Sequence, residues 1–138
     1  MSTTKTSTHD LLERLFAAFN RHDADAVMSR MTVDVVFDAA VGPDAFGRRF
    51  VGRESVRDAF IQVWRNFPDV AWNCTRHTVA GDVGLSEWIF RATRPDGGRI
   101  DADGCDIFEI EARACPQLSQ MTAAAKWMPA RKFLAVLS

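Results

Sequence analysis

Three consecutive stretches at positions 70–79, 83–93 and 99–110 are rich in β-branched and aromatic residues and constrain the fold more than any other feature. Such runs, bounded by clusters of glycine, proline and aspartate, are typical of β-strands. The connections at 80–82 and 95–98 are three and four residues long, whereas a parallel connection needs a dozen or more residues. The sequence therefore predicts a meander of antiparallel strands.

Two helical patterns begin the chain. Ser7 and Asp10 fit a capping box, and the apolar residues after them recur at helical spacing until Asn20. Asp23 is a good N-cap for a second helix that reaches about Met31. These signals predict two consecutive helices before the first strand.

The segment between these helices and the meander predicts one strand, one loop and a third helix. Residues 33–39 are β-branched and aromatic, residues 42–47 form a loop, and residues 50–51 add a short strand. The helix is predicted over 54–67, because Pro68 cannot continue it. The order predicts an α+β fold, in which three helices cover one face of a curved antiparallel sheet.

The last segment, residues 111–138, is harder to assign than the rest of the chain. We expect a short amphipathic helix in it, and either a strand or a helix end at 133–137. The apolar positions at helical spacing are Leu118, Met121, Ala125 and Met128.

Length and charge exclude several classes of protein. The chain has 138 residues and a formal net charge of −1, so we expect one domain over residues 1–138, with a flexible tail at 1–7. No basic run is longer than two residues, which argues against a nucleic-acid partner. No apolar run approaches the roughly 20 residues that span a bilayer, so we expect no membrane partner.

The first residues are polar, so we expect no secretory signal and a cytoplasmic location. Cys74, Cys105 and Cys115 are odd in number and follow no metal-ligand spacing. We therefore expect reduced thiols, no metal site and no cofactor.

The hairpin formed by 83–93 and 99–110 is predicted to bring two acidic side chains together. A two-residue turn at 96–97 and a four-residue turn at 95–98 give the same register. Alternate residues then share one apolar face. The predicted cross-strand partners are Leu85 with Phe108, Glu87 with Asp106, and Ile89 with Gly104.

Two opposed carboxylates in an apolar wall would raise at least one carboxyl pKa, since both burial and a like charge disfavour ionisation. A carboxyl that titrates nearer neutrality is a candidate general acid or base. Two alternatives remain open at this point. A bulge could turn one acid to solvent, or Arg76, which a two-residue turn at 81–82 places opposite Glu87, could neutralise the pair.

Three short motifs resemble one known superfamily. They are Phe-Asn-Arg-His-Asp at 19–23, Phe-Val-Gly-Arg-Glu at 50–54 and Asp-Gly-Cys-Asp-Ile-Phe-Glu at 103–109. In order and spacing they resemble the SnoaL-like branch of the nuclear transport factor two-like superfamily, which includes ketosteroid isomerase, scytalone dehydratase and limonene epoxide hydrolase. The resemblance covers about residues 8–110. It implies a cone-shaped sheet around a deep apolar pocket, closed by the helices, and a homodimer formed through the outer face of the sheet.

The resemblance also implies roles for two acids. Asp38 matches the general-base position of ketosteroid isomerase, and Asp106 matches the protonated acid of its oxyanion hole, the case in which an apolar site keeps a carboxyl neutral. The tyrosine of that enzyme falls near Leu15, and this chain has no tyrosine. This departure argues against steroid isomerisation by the same mechanism.

We expect a small hydrophobic or amphipathic ligand. Trp72 and Trp88 are expected on the outer face, at the dimer contact. The residues expected to contact the ligand are Phe16, Phe19, Phe37, Trp64, Leu85, Ile89, Phe108 and Arg76.

The leading hypothesis is a cofactor-free acid/base enzyme of the isomerase, cyclase or lyase type. Asp106 would exchange the proton, Glu87 would tune its pKa, and Asp38 would be a second acid or base. A non-catalytic binding or dimerisation module is the first alternative. The second is a hydrolase that activates water with Asp106, Arg76 and Glu87, in the manner of limonene epoxide hydrolase.

Overall fold

The computed structural model describes residues 7–44, 47–111 and 116–125. Three helices and six strands form an α+β fold with an open, curved sheet, which confirms the predicted class. The helices are α1 (Thr8–Asn20), α2 (Ala24–Met28) and α3 (Arg53–Asn66). The strands are β1 (Met31–Asp44), β2 (Gly47–Val51), β3 (Ala71–Ala80), β4 (Val83–Thr93), β5 (Arg99–Glu111) and β6 (Gln117–Ala125).

Both predicted helix caps are present. The side chain of Ser7 accepts a hydrogen bond from the amide of Asp10 at 3.0 Å, and Asp23 accepts one from the amide of Ala26 at 3.1 Å. Helix α2 ends earlier than predicted, since Met31 already pairs with β6 as the first residue of β1. The cap residues therefore mark both helix starts correctly.

The sheet has the strand order β2-β1-β6-β5-β4-β3. The pairing of β1 with β6 is parallel, and the other four pairings are antiparallel. The expected wholly antiparallel sheet is thus wrong at this one pairing. The reason is topological. β6 runs antiparallel to β5 and lies between β5 and β1, where its direction is the same as that of β1.

The amphipathic helix expected after position 117 is wrong, since this segment is the central strand β6. A bulge explains the misleading pattern: Glu109 pairs with Gln120 and Ile110 pairs with Leu118, so Ser119 is an extra residue. Leu118 and Met121 are both buried although they lie three positions apart. Apolar residues at that spacing also fit one face of a helix.

Some expectations fall on residues outside the described ranges. They concern the tail before Ser7, Cys115, Met128 and the segment at 133–137.

The loop predicted at 42–47 is shorter than expected, because β1 extends to Asp44 and β2 begins at Gly47.

Helix α1 lies close against strand β4. A Cβ atom at Gly84 would lie 3.1 Å from a methyl carbon of Leu12 and 3.2 Å from one of Ile110, so a larger residue would push the helix away. We call this helix-covered side of the sheet the inner face and the opposite side the outer face. None of the helices in the described ranges has the length and apolarity needed to span a bilayer. Fully buried side chains of the core include Leu11, Leu12, Leu15, Phe19, Val35, Val56, Phe67 and Phe108.

Candidate active site

The turn between β4 and β5 contains three residues, whereas the sequence predicts a turn of two or four residues. The amide of Arg94 donates to the carbonyl oxygen of Gly98 at 2.7 Å, which leaves only residues 95–97 in the turn. Gly97 has a φ of +89°, as expected in a three-residue hairpin with a left-handed residue. An odd turn length moves every cross-strand partner by one position, so the predicted pairs of this hairpin are wrong.

The corrected register separates the two acids. Asp106 lies opposite Ser86 instead of Glu87, and both Asp106 and Ser86 are fully buried on the inner face. Because side chains alternate along a strand, Leu85, Glu87 and Ile89 lie on the outer face. The face predicted for β5 is right, and the face predicted for β4 is reversed.

Arg76 and Glu87 form a cross-strand ion pair on the outer face, with Nε and Oε2 2.6 Å apart. The predicted pairing of these two residues is confirmed. The Arg76 side chain is 70% exposed, so neither residue reaches the inner face. The set of Asp106, Arg76 and Glu87 expected for a hydrolase is therefore divided between the two faces of the sheet.

A cavity with a volume of about 60 Å³ lies between the helices and the inner face. A water molecule needs about 10–15 Å³ of cavity volume, so this cavity has room for about four to six atoms of the size of a water molecule. The described residues that line it are Phe16, Phe19, Phe37, Ala39, Phe60, Val63, Trp72, Trp88, Phe90, Ala102, Asp106, Met121 and Ala123.

Phe16, Phe19 and Phe37, which are expected to contact the ligand, line the cavity. Trp64 and Phe108 are buried but are not part of its wall. The remaining predicted ligand contacts lie on the outer face, because the wrong β4–β5 register reversed the face predicted for β4 and for the residue of β3 paired with Glu87. These residues are Leu85, Ile89 and Arg76.

Asp106 is the acidic residue of the cavity wall, and its side chain is almost completely shielded from solvent, at 1% exposure. The indole Nε1–H of Trp88 donates to Oδ2 at 3.0 Å, while Oδ1 is buried and has no hydrogen-bond partner among the described residues. Burial raises the pKa of Asp106 to about 7, and the Trp88 hydrogen bond opposes this rise because it stabilises the carboxylate. Both protonation states are therefore populated near neutral pH.

Asp38 points away from the cavity, since its neighbours Phe37 and Ala39 line the wall. Its two oxygens accept hydrogen bonds from Arg49 at 2.8 and 3.0 Å, and Oδ2 accepts a third from Gln120 at 3.0 Å. This buried carboxylate links β1, β2 and β6. The arrangement gives Asp38 a structural contact and no access to the cavity.

The family model for the SnoaL-like domain matches residues 12–114, which is most of the chain. This chain belongs to the SnoaL-like family. The match includes most of α1, all of α2 and α3, and the strands β1 to β5, but not β6. No curated protein matches the sequence significantly.

Solved structures show that the fold of this SnoaL-like protein is widespread. A protein of unknown function with a cystatin-like fold from Xanthomonas campestris has a TM-score of 0.79 at 16% identity, covering 96% of this chain and 99% of that chain. A proposed aromatic ring hydroxylase from Novosphingobium aromaticivorans has 0.72 at 25% identity, covering 88% and 87%. A proposed SnoaL-like polyketide cyclase from Shewanella denitrificans has 0.70 at 13% identity, covering 86% and 89%.

The SnoaL-like cavity contains several residues that the sequence did not indicate. Trp88 and Trp72, expected on the outer face, line the cavity, because the register and the β3 bulge between Cys74 and Arg76 turn them inward. Phe60 and Phe90 were also missed as lining residues. An odd turn length with Gly97 in its last position is the signal that could have found Trp88.

One further cluster of polar side chains lies at the start of α1. His9, Asp10 and Glu13 bring potential ligand atoms within 4.8 Å of one another. All three residues are exposed, and nothing else described at this position points to an ion. We therefore assign no metal site to the cluster.

Proposed function

We propose that this SnoaL-like protein is a cofactor-independent acid/base enzyme of the isomerase, cyclase or lyase type, acting on a small hydrophobic or amphipathic molecule. The proposal is carried by one observation: a buried carboxyl, Asp106, forms part of an otherwise apolar cavity wall and has an oxygen without a partner. A pKa of about 7 lets this carboxyl both give and take a proton at neutral pH.

The proposed chemistry takes place at Oδ1 of Asp106. Since Trp88 donates to Oδ2, the proton of the neutral acid is carried on Oδ1, where it can be donated to a substrate atom. In the ionised state the same oxygen can accept a proton from carbon or oxygen of the substrate. The Trp88 hydrogen bond holds the carboxyl of this lining residue in one orientation.

The proposal assigns proton exchange to Asp106 alone. Glu87 interacts with Arg76 on the outer face, and Asp38 is bonded to Arg49 and Gln120. Neither acid has access to the cavity, so the tuning role expected of Glu87 and the second-base role expected of Asp38 are not retained.

A non-catalytic ligand-binding module is the second candidate. It is favoured by the fact that, of the three acids predicted to be catalytic, one reaches the cavity. A single carboxyl can hold a ligand by a hydrogen bond without reacting with it. The two candidates differ in whether a bound molecule exchanges protons with Asp106.

We further propose a homodimer formed through the outer face and a cytoplasmic location. Val83 and Ile107 are large apolar residues exposed there, and Leu85 pairs directly with Ile107. Cys74 is a free thiol, which is usual in a reducing compartment.

The test of the enzymatic proposal uses carbon acids small enough for the cavity. Butanone and cyclopentanone are incubated with the protein in D₂O, and deuterium incorporation beside the carbonyl is followed by NMR. We expect the wild-type protein to accelerate incorporation and Asp106→Asn to lower the rate at least about 100-fold, the usual range for loss of a general base.

Glu87→Gln is the matched control, because it removes an acid from the neighbouring strand without changing the cavity, and its rate should equal that of the wild type. Exchange that is equally fast in Asp106→Asn and wild type would contradict the proposal. A wild-type rate no higher than in buffer alone would favour the binding module.

A further inference from the structure

The cavity combines aromatic walls with one acid and no basic side chain among its described residues. Seven of the thirteen described lining residues are aromatic, and five others are alanine, valine or methionine. Asp106 is the remaining one. A ligand in this cavity therefore meets ring surfaces on most sides and a single oxygen that lacks a partner.

Oδ1 of Asp106 is an unpartnered polar atom in a side chain that is 99% shielded, since 1% is exposed. A buried carboxylate with a single neutral N–H donor is costly, and proteins normally supply a cation or keep the acid protonated. A positively charged ligand is a third way to stabilise the carboxylate, because the ligand supplies the opposite charge when it binds.

Titratable groups on β3, which pairs with β4, do not supply this charge. Burial and the charge of Asp106 raise the pKa of the Cys74 thiol to about 12, so it stays neutral. Burial, followed by the proximity of His9, lowers the pKa of His77, so at pH 7 its ring is mainly neutral. His77 shares a hydrogen bond with Ser86 at 2.8 Å, and Ser86 is the residue opposite Asp106 on β4.

The described residues of the other elements around Asp106 contribute no charge to the cavity. On β6 its partner is Ala123, and α1 and α3 present Phe16, Phe19, Phe60 and Val63. Arg49 and Arg76 are bonded to acids that face away from the cavity.

Aromatic walls are suited to an organic cation. The face of a Trp, Tyr or Phe ring attracts a cation, most strongly when water is excluded. Methyl and methylene groups on the nitrogen contact the same rings by dispersion and hydrophobic burial. A metal ion or an ammonium ion would have the charge but not the apolar surface.

We propose that the cavity binds an alkylammonium group, whose positive charge pairs with Oδ1 of Asp106 and whose carbon atoms contact the aromatic rings. This inference rests on the proposed function, because it names the substrate class of the same site. The volume of about 60 Å³ fits the head group of such a molecule. When a neutral amine enters, the O–H bond of Asp106 breaks and an N–H bond forms, which gives the ammonium–carboxylate pair without another reactant. A permanent cation instead requires that Asp106 lose its proton to solvent.

The test compares choline with its neutral isostere 3,3-dimethylbutan-1-ol by isothermal titration calorimetry at pH 8 and pH 5.5. With a pKa of about 7, Asp106 is about 90% ionised at the higher pH and about 3% at the lower. We therefore expect choline to bind roughly 30-fold more tightly at pH 8. The alcohol has no charge to pair, so it should bind more weakly than choline at pH 8 and should not gain affinity as the pH rises.

Asp106→Asn should remove the pH dependence and most of the choline affinity, while it leaves alcohol binding intact, which also shows that the variant is folded. Phe60→Leu keeps the cavity apolar and should weaken choline more than the alcohol. The inference is overturned if choline binds no better than the alcohol at pH 8, if neither binds, or if choline affinity is the same at both pH values.

The outcome also separates this inference from the proposed function. If choline binding depends on Asp106 but no deuterium exchange occurs, the cation site is supported and the enzymatic proposal is contradicted. If deuterium exchange depends on Asp106 but choline does not bind, the enzymatic proposal is supported and the cation site is contradicted.

Discussion

Asp106 has one hydrogen-bond donor where an ionised carboxylate in a buried site normally has several. Trp88 donates to Oδ2, and the other oxygen is without a partner. Asp38 shows the contrast within the same protein, because Arg49 and Gln120 donate three hydrogen bonds to it. The two acids thus differ more in their hydrogen-bond donors than in their burial, since both side chains are buried.

The raised pKa of Asp106 makes stability fall with rising pH. Folding increases the proton affinity of this carboxyl, since the ordinary pKa of an aspartate is 3.8 and that of Asp106 in the folded protein is about 7. Between about pH 4 and pH 7 the unfolded chain loses this proton while the folded chain keeps it, so the free energy of unfolding decreases as pH rises. The slope is about 1.4 kcal/mol per unit, and the total is of the order of 4 kcal/mol.

Urea unfolding of wild type and Asp106→Asn at pH 4.5, 5.5, 6.5 and 7.5 measures this contribution. Other groups titrate in both proteins, so the difference between them isolates Asp106. We expect the variant to gain stability relative to wild type up to about pH 7 and then to change little. A difference that is constant with pH would mean that the pKa is not raised.

At the scale of elements, the β4–β5 turn determines which face each side chain occupies. Its three residues place Trp88 and Asp106 together on the inner face, whereas an even-numbered turn would have placed Glu87 there. The positive φ of Gly97 is the local conformation on which this turn depends.

Gly97→Ala should therefore destabilise the protein by about 1–2 kcal/mol, since a residue with a Cβ is strained in the left-handed region. Gly98→Ala is the matched control. Its φ is not in that region, and the added Cβ would meet the guanidinium of Arg94 at the end of a flexible side chain. Equal losses in chemical denaturation would contradict this account of the turn.

At the scale of the molecule, the two faces of the sheet carry different chemistry. The inner face holds the apolar cavity, in which Asp106 is the acid among the described lining residues. The outer face carries ion pairs such as Arg76–Glu87 and Arg91–Asp101. Val83 and Ile107 interrupt this polar surface, at 41% and 42% exposure. Exposed apolar residues beside a polar surround are typical of an association surface.

If the outer face forms the proposed dimer, Ile107→Lys should convert the dimer to a monomer in analytical ultracentrifugation. Val51→Lys is the control, because Val51 is also exposed and apolar but belongs to β2 at the far edge of the sheet. It should leave the dimer intact. A wild-type protein that sediments as a monomer at all concentrations would contradict the proposal.

The sequence by itself determined the features that depend on neighbouring residues. The caps at Ser7 and Asp23, the helix before Pro68 and the three meander strands follow from local propensity and turn chemistry, and the structure contains them. The pairing of Arg76 with Glu87 was also predictable, because the short turn before β4 has an even number of residues.

Only the tertiary structure decided which side chains meet. The bulge at Ser119 hid a central strand behind a helical spacing, and the three-residue turn before β5 reversed the face predicted for β4. Because side chains alternate with a period of two, one residue more or less in a turn or bulge transfers every following side chain to the opposite face. Local propensity does not reveal that one-residue difference, although the packing of Trp88 against Asp106 depends on it.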